Sequence, residues 1–134
     1  MTFIPYESFV QSAKVIDNKR LWKEILETNQ LCKAIYNHTD FYKNHPIRKM
    51  WEKHYNWLEY YKAVFVQEWL DRRLFNPFKL ERSLCLISPE TRPKWLGNEQ
   101  LHASHRASLL FKNPQWYSQF NWKETPKIEY FWPI

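Results

Sequence analysis

The chain has 134 residues, enough for one compact domain with its own core and too few for two domains of ordinary size. Its only glycine is Gly97, which excludes phosphate-cradling loops and dinucleotide-binding turns, because these need several glycines for close approach of the backbone. Lysine and arginine total 20 against 14 acidic residues, and the resulting charge of +6 favours a polyanionic partner such as nucleic acid. The alternative is that this charge only keeps the protein in solution.

The cysteines and the apolar runs predict a soluble protein of a reducing compartment. We expect no signal peptide and no membrane span, because the apolar runs are far shorter than the roughly 20 residues that a bilayer requires. Cys32 and Cys85 match no metal-binding spacing, which predicts buried free thiols. We therefore expect a cytoplasmic monomer with no membrane partner, no metal and no organic cofactor.

The first predicted helix covers residues 5–16. Pro5 suits its first position, and Phe9, Ala13 and Ile16 follow at spacings of four and three, which places them on one face.

A second predicted helix covers residues 19–36, with Asp17 or Asn18 available to cap it. Its apolar stripe consists of Leu21, Ile25, Thr28, Cys32 and Ile35. The opposite, polar face carries Arg20, Lys23, Glu24 and Glu27. Charge pairs at this spacing are ordinary on a solvated helix, so the pattern alone assigns no function to this face.

The middle of the chain is predicted to contain a loop, one long helix and an irregular stretch. Residues 37–46 are rich in Asn and Asp and end in a proline, which indicates a loop. Aromatic and aliphatic residues then recur at every third or fourth position from Ile47 to about Leu74, which predicts the central helix. Residues 77–93 are irregular, and the apolar piece at 84–87 is either an extended segment or a turn of helix.

Two more helices and a strap complete the prediction. Asn98 caps a helix that ends near Phe111, and Asn113-Pro114 begins a short one. Residues 122–134 contain two prolines and no helical period, which predicts an extended strap. We therefore expect a mainly α fold, with four to five helices and an extended C-terminal strap in a single domain over residues 1–134.

The helix after Asn98 carries His102, His105 and Arg106 within five consecutive positions. Two interpretations stay open: hydrogen-bonded structural histidines near an apolar stripe, or charged groups that bind an anionic backbone. Glu99 and His102 have the spacing of di-metal helical bundles, but no second copy of the motif accompanies them, so no metal site is predicted.

Two further features could carry chemistry or binding. Thr2 is small, so removal of Met1 would leave a free α-amine on it, and such amines titrate at about 7.7–8.0, which makes a usable fraction nucleophilic. Basic and aromatic residues interleave at 92–97 and 112–117, a composition typical of surfaces that bind phosphates and stack on bases.

Four segments in order carry a family resemblance: FIPY at 3–6, NHPIRKMW at 44–51, WLGNEQLHASHRASLL at 95–110, and Tyr130 close to Trp132-Pro133. The chain resembles the pyrimidine-dimer DNA glycosylase family, small all-helical base-excision enzymes of the phage endonuclease V type. It is most similar to a bacterial and viral branch of that family. The likeness covers nearly the whole sequence.

The resemblance to the phage enzymes implies a mechanism. Thr2 stands where their nucleophilic threonine stands, and Glu27 follows Arg20 at the spacing of their catalytic glutamate. The resemblance also extends to Leu21 and Glu24, and to Pro114, Trp116 and Tyr117 near the C-terminus. Family arginines around the site are replaced by Phe3, Leu26 and Gln30.

The implied activity is a DNA glycosylase with an associated abasic-site (AP) lyase. The Thr2 amine attacks C1′ of a damaged nucleotide in double-stranded DNA, and an imine and β-elimination follow, with Glu27 handling protons. The residues expected to bind DNA are Arg20, Lys23, His45, Arg48, His102, His105, Arg106, Lys112, Trp116 and Tyr117. The alternatives are a non-catalytic DNA-binding module and a glycosylase for a different modified base.

Overall fold

A computed structural model describes residues 1–83, 89 and 91–134. These residues form six α-helices and no strand: α1 (Phe9–Val15), α2 (Asn18–Asn37), α3 (Pro46–Trp51), α4 (Tyr55–Asp71), α5 (Glu99–Lys112) and α6 (Pro114–Tyr117). The predicted mainly α fold with its C-terminal strap is confirmed. Cys85 and the apolar piece at 84–87 lie outside the described residues. None of the helices formed by the described residues combines the length and apolar character of a bilayer-spanning segment.

The first helix begins later than the sequence predicts. Ser8 caps α1 by accepting a hydrogen bond from the amide of Gln11 at 3.2 Å, so the helix starts at Phe9 and not at Pro5. Residues 1–7, here called the N-terminal segment, lie outside any helix. Their backbone groups bond to side chains of distant helices, and this arrangement competes with a helix at Pro5.

The core lies where α2 packs against α4, with α1 against the same helix. The predicted stripe on α2 faces this core, and Leu21, Ile25 and Cys32 are buried. They meet Leu58 and Phe65 of α4 in the same cluster. Cys32 is a free thiol, as predicted.

The predicted long helix over residues 47–74 is two helices, α3 and α4. The chain turns at residues 52–54, where the amide of His54 donates to the carbonyl of Trp51 at 2.7 Å. The turn allows Trp51 on one side and Trp57 on the other to be buried in one core. Because apolar residues keep a spacing of three or four across the turn, the sequence pattern does not reveal it.

The C-terminal strap crosses α5. Asn98 caps this helix as predicted, and its side chain accepts from the helix backbone. Residues 121–134 then run without regular structure, and the amide of Lys127 donates to the carbonyl of Ala107 at 3.2 Å. The strap thereby holds α5 in place beside the N-terminal segment.

Candidate active site

The N-terminal segment passes between α2 and α5 and is held from both sides. Thr2, Phe3 and Ile4 are buried. The amide of Phe3 donates to Glu24 on α2 at 3.1 Å, and the amide of Ile4 donates to His105 on α5 at 2.9 Å. Each of these residues therefore has a fixed position, although it belongs to no helix.

Two carboxylates of α2 lie beside the amine that begins the chain. The Met1 amine donates to Glu27, and its nitrogen lies 3.9 Å from Oε1 of Glu24. The other oxygen of Glu24, Oε2, accepts from the Phe3 amide and from the hydroxyl of Tyr61 at 3.3 Å. The single proton of that hydroxyl is shared between Glu24 and the Phe3 carbonyl, which lies at 2.9 Å. We call the amine, Glu24, Glu27 and Tyr61 the carboxylate cluster.

The two carboxylates differ in exposure. The side chain of Glu27 is 24% exposed, whereas that of Glu24 is 2% exposed. Burial raises the pKa of Glu24 to about 7, in spite of the opposing effect of the positive amine. The prediction that Glu24 lies on a solvated polar face is wrong, because it comes three residues after Leu21 and four before Thr28, at the edge of the apolar stripe.

Thr2 adjoins the carboxylate cluster. Its hydroxyl accepts a hydrogen bond from the indole of Trp51 at 2.8 Å. With Met1 in place, the free amine belongs to Met1. The Thr2 nitrogen lies along the chain between those of Met1 and Phe3, and both of these approach Glu24. Removal of Met1 would therefore leave the new amine next to the same carboxyl group.

Two histidines of α5 hold the segment from the opposite side. His105 accepts the Ile4 amide on Nδ1, which places the ring proton on Nε2 and makes the imidazole neutral. His102 has the other tautomer, because its Nδ1 donates to the Ile4 carbonyl at 2.7 Å and its Nε2 accepts from the Gly97 amide at 3.0 Å. Both rings are buried, and burial lowers the pKa of each, that of His105 to about 3. We call this pair the histidine clamp.

The phosphate-binding role predicted for His102, His105 and Arg106 does not suit these positions. Neutral, buried imidazoles that hold backbone groups offer no positive charge to a phosphate. Arg106 donates to the carbonyl of Pro5 at 2.7 Å and makes a two-point ion pair with Glu124 of the strap. The structural interpretation of the histidines, left open by the sequence, describes what is observed.

His45 and Arg48, the two predicted DNA-binding residues around α3, also make structural contacts. His45 caps α3 by accepting the Ile47 amide at 3.0 Å, while its exposed ring lies edge-on to Trp132 with centroids 5.8 Å apart. Its pKa is lowered by partial burial and by the positive amine at the start of the chain. Arg48 is buried and donates to the carbonyl of Phe41 at 2.8 Å, so it braces the preceding loop and does not suit phosphate binding.

The remaining candidates on α2 lie at two levels of the helix. Lys23 is exposed, and its Nζ lies 3.8 Å from Oε1 of Glu27. Arg20 pairs with Asp17, which also accepts a hydrogen bond from the hydroxyl of Tyr117. Asp17 is seven residues before Glu24, about 10 Å along the helix.

The aromatic pair predicted to stack on a base has a structural role. Tyr117 is buried, and the indole of Trp116 donates to the carbonyl of Val15 at 2.7 Å. Both residues tie α6 to the junction of α1 and α2, so Tyr117 has no free face for a base. Lys112 is exposed at the C-terminal end of α5.

Two strap residues that the sequence marks only as part of a terminal motif lie near the site. The ring of Tyr130 is 6.3 Å from that of Phe3 and 5.8 Å from that of His105. Trp132 follows, with its ring 5.7 Å from that of Tyr130. Their spacing carries no signal of this position, because an irregular strap has no period from which a facing side can be read.

The arrangement combines a primary amine, a partly exposed carboxylate, a buried carboxyl group and neighbouring aromatic rings. A sequence model of the pyrimidine dimer DNA glycosylase family matches residues 1–81. The chain belongs to this family. The family match contains the whole carboxylate cluster, whereas the histidine clamp and the strap lie beyond it. Comparisons with curated proteins and with solved structures gave no match.

Proposed function

We propose that the protein is a DNA glycosylase with an associated AP lyase activity, acting on damaged pyrimidine nucleotides in double-stranded DNA. Membership of the family supports the glycosylase activity. The observation that carries the rest is the position of the first amine of the chain, in contact with Glu27 and 3.9 Å from Glu24. A partly exposed amine beside carboxylates has acceptors for the protons that it must lose, and loss of the first of these protons frees its lone pair for attack.

The proposed nucleophile is the amine of Thr2, freed by removal of Met1. Its lone pair attacks C1′, and the bond from C1′ to the base breaks with its electron pair on the base, which takes a proton. The nitrogen gives up a proton, its lone pair forms the C=N bond, and the C1′–O4′ bond breaks as O4′ is protonated. An imine then joins Thr2 to the opened sugar.

Strand cleavage follows from that imine. The positive nitrogen acidifies the C2′ proton, and its loss expels the 3′ phosphate together with the electron pair of the C3′–O bond. Glu27 stabilises the positive charge and moves protons at the sugar, for which its partly exposed side chain is suited. Lys23 supplies positive charge to a flanking phosphate, and His45 and Trp132 offer rings to a base taken out of the duplex.

Borohydride trapping tests the proposal. Untagged protein, with the state of Met1 established by intact mass, is incubated with duplexes that contain a cyclobutane dimer, an abasic site or no lesion. We expect a covalent adduct on the two damaged duplexes, with the added sugar on the Thr2 nitrogen. We expect Glu27→Gln to form it roughly a hundredfold more slowly, in the range of lost acid–base catalysis.

The other outcomes separate the alternatives. An adduct with the abasic duplex alone would support the lyase and redirect the glycosylase to another modified base, which the replacement of family arginines by Phe3, Leu26 and Gln30 allows. Salt-dependent binding with no adduct would leave only a DNA-binding module. An adduct that persists after acetylation of the N-terminus would contradict the assignment of the nitrogen.

A further inference from the structure

We propose that Glu24 accepts the proton from the attacking nitrogen, so that two neighbouring carboxylates divide the reaction: Glu24 serves the nitrogen and Glu27 serves the sugar. This inference rests on the proposed function and adds a second carboxyl group to its chemistry.

The orientation of Glu24 is the first support. Its Oε2 is held by the amide of Phe3 and the hydroxyl of Tyr61, so the carboxyl group cannot rotate freely. Its Oε1 is the oxygen that lies 3.9 Å from the Met1 nitrogen. One oxygen is therefore an anchor, and the other is directed at the amine.

The position of the processed amine is the second support. Glu27 bonds the nitrogen of Met1, which leaves with that residue. The nitrogen of Thr2 lies one residue further in, next to Phe3, whose own amide reaches Glu24 at 3.1 Å. After processing, the buried carboxyl group of Glu24 is thus beside the nucleophile, and the partly exposed group of Glu27 lies nearer the protein surface.

The surroundings of Glu24 are the third support. The groups that face it are the amine from the N-terminal segment, Glu27 from α2, Tyr61 from α4 and Tyr130 from the strap, with His105 of α5 beyond the ring of Phe3. The pKa of Glu24 is raised to about 7 by burial, so this group both accepts and releases a proton at neutral pH.

The proton transfer belongs to imine formation. Once the nitrogen has bonded to C1′, it gives one proton to Oε1 of Glu24 and keeps the electron pair that forms the C=N bond. Glu24 becomes a neutral acid and releases this proton to solvent when the product leaves. Bound DNA covers the site at this stage and limits access of bulk water, which is where a built-in acceptor has the largest effect.

Two measurements on Glu24→Gln test the inference, with Glu52→Gln on the exposed end of α3 as the matched control. The first is the single-turnover rate of borohydride trapping on an abasic duplex across mildly acidic to mildly alkaline pH. We expect Glu24→Gln to trap roughly a hundredfold more slowly at neutral pH, and to lose the dependence on a group that titrates near 7. The control should match the unaltered protein.

The second measurement reads the amine without DNA, by reductive methylation of the N-terminus with formaldehyde. We expect the amine of Glu24→Gln to react at least as fast as that of the unaltered protein, because the substitution leaves the amine in place and only removes an acidic group beside it. A reaction with formaldehyde that is not slowed, combined with a slower reaction with DNA, is the signature of a lost proton acceptor. A structural role would slow both reactions or neither, and either result would overturn the inference.

Tyr61→Phe provides a second test if Glu24→Gln does not fold. It removes a hydroxyl that lowers the pKa of Glu24, so the titration near 7 should move to higher pH. An unmoved profile would overturn the inference. If the unaltered protein forms no adduct with any duplex, the proposed function fails and this inference fails with it. If it forms the adduct and Glu24→Gln forms it equally fast, only this inference fails.

Discussion

The N-terminal segment lies between two sets of titratable side chains that hold it in opposite ways. On the α2 side, Glu24 and Glu27 surround a free amine, and the buried one titrates near neutral pH. On the α5 side, His102 and His105 belong to the residue type that normally titrates there, yet both are neutral and hold only backbone groups. The chemistry is thus expected from glutamates and the scaffolding from histidines, the reverse of what residue type suggests.

The difference comes from the partners of each buried group. Burial disfavours charge on both sides, and it shifts the pKa of Glu24 upward and the pKa of His105 downward. A shift toward neutral pH next to an amine creates a group that can exchange protons with it. A shift away from neutral pH next to a peptide amide creates a permanent hydrogen-bond acceptor. A perturbed pKa therefore marks function only when the partner is itself reactive.

The largest expected effect is a loss of stability on substitution of His105 in the histidine clamp. His105→Ala should lower the free energy of unfolding by about 4 kcal/mol, since it leaves the buried Ile4 amide unpaired and opens a cavity. Urea-induced unfolding measures the change. The exposed His38, substituted as His38→Asn, is the matched control and should stay within about 0.5 kcal/mol. A small loss for His105→Ala would break the distinction between the two sides.

The next effect is a pH dependence of stability that belongs to Glu24. Its pKa is raised from 4.5 to about 7 on folding, so the unfolded chain releases this proton first as pH rises. The contribution of Glu24 to stability is therefore present below 4.5 and is lost as pH rises to about 7, on the order of 3 kcal/mol in all.

The contribution of His105 to stability changes with pH in the opposite direction. The pKa of His105 falls from 6.5 to about 3, so its contribution is present above 6.5 and is lost as pH falls toward 3. Because the pH ranges of the two contributions overlap, Glu24 must be measured as a difference in stability between two proteins. The stability of the unaltered protein minus that of Glu24→Gln should decrease between pH 4.5 and 7. A flat difference would show that Glu24 is not a buried acid.

The smallest effect concerns which side meets DNA. Lys23 is exposed beside Glu27, whereas the charge of Arg106 is already paired with Glu124. Lys23→Gln should weaken DNA binding by less than about 1 kcal/mol and reduce the slope of log affinity against log salt by about 0.9. Arg106→Gln should lower stability and leave that slope unchanged. The reverse result would place the DNA on the α5 side.

Hydrophobic periodicity predicted the parts of the fold in which buried apolar residues recur at helical spacing. The stripe on α2 was predicted in this way, whereas the start of α5 was predicted from the capping preference of Asn98; the structure confirms both. The turn at residues 52–54 was missed because His54 and Trp57 follow Trp51 in steps of three, as in a helix, while the backbone changes direction. A pattern of side chains records which residues are buried, and not whether one helix or two carry them.

The candidate site was predicted only in part, for a related reason. The family resemblance predicts the catalytic roles of Thr2 and Glu27, and these roles stay predictions until the reaction is tested. Glu24 is predicted to be solvated because it is charged and lies at the edge of the apolar stripe. Helical spacing does not show how far burial extends beyond that edge. The roles of His102 and His105 depend on the N-terminal segment, which has no period and cannot be placed from sequence spacing.

The hydrogen bond between Ile4 and His105 joins residues 101 positions apart. The N-terminal segment is synthesised first, but it is held from both sides only after α5 has emerged from the ribosome. Until then the N-terminal segment lacks the contacts that α5 supplies to Ile4. The order of synthesis thus sets the order in which the contacts of the N-terminal segment form. A chain that ends before α5 would lack the histidine clamp that holds this segment.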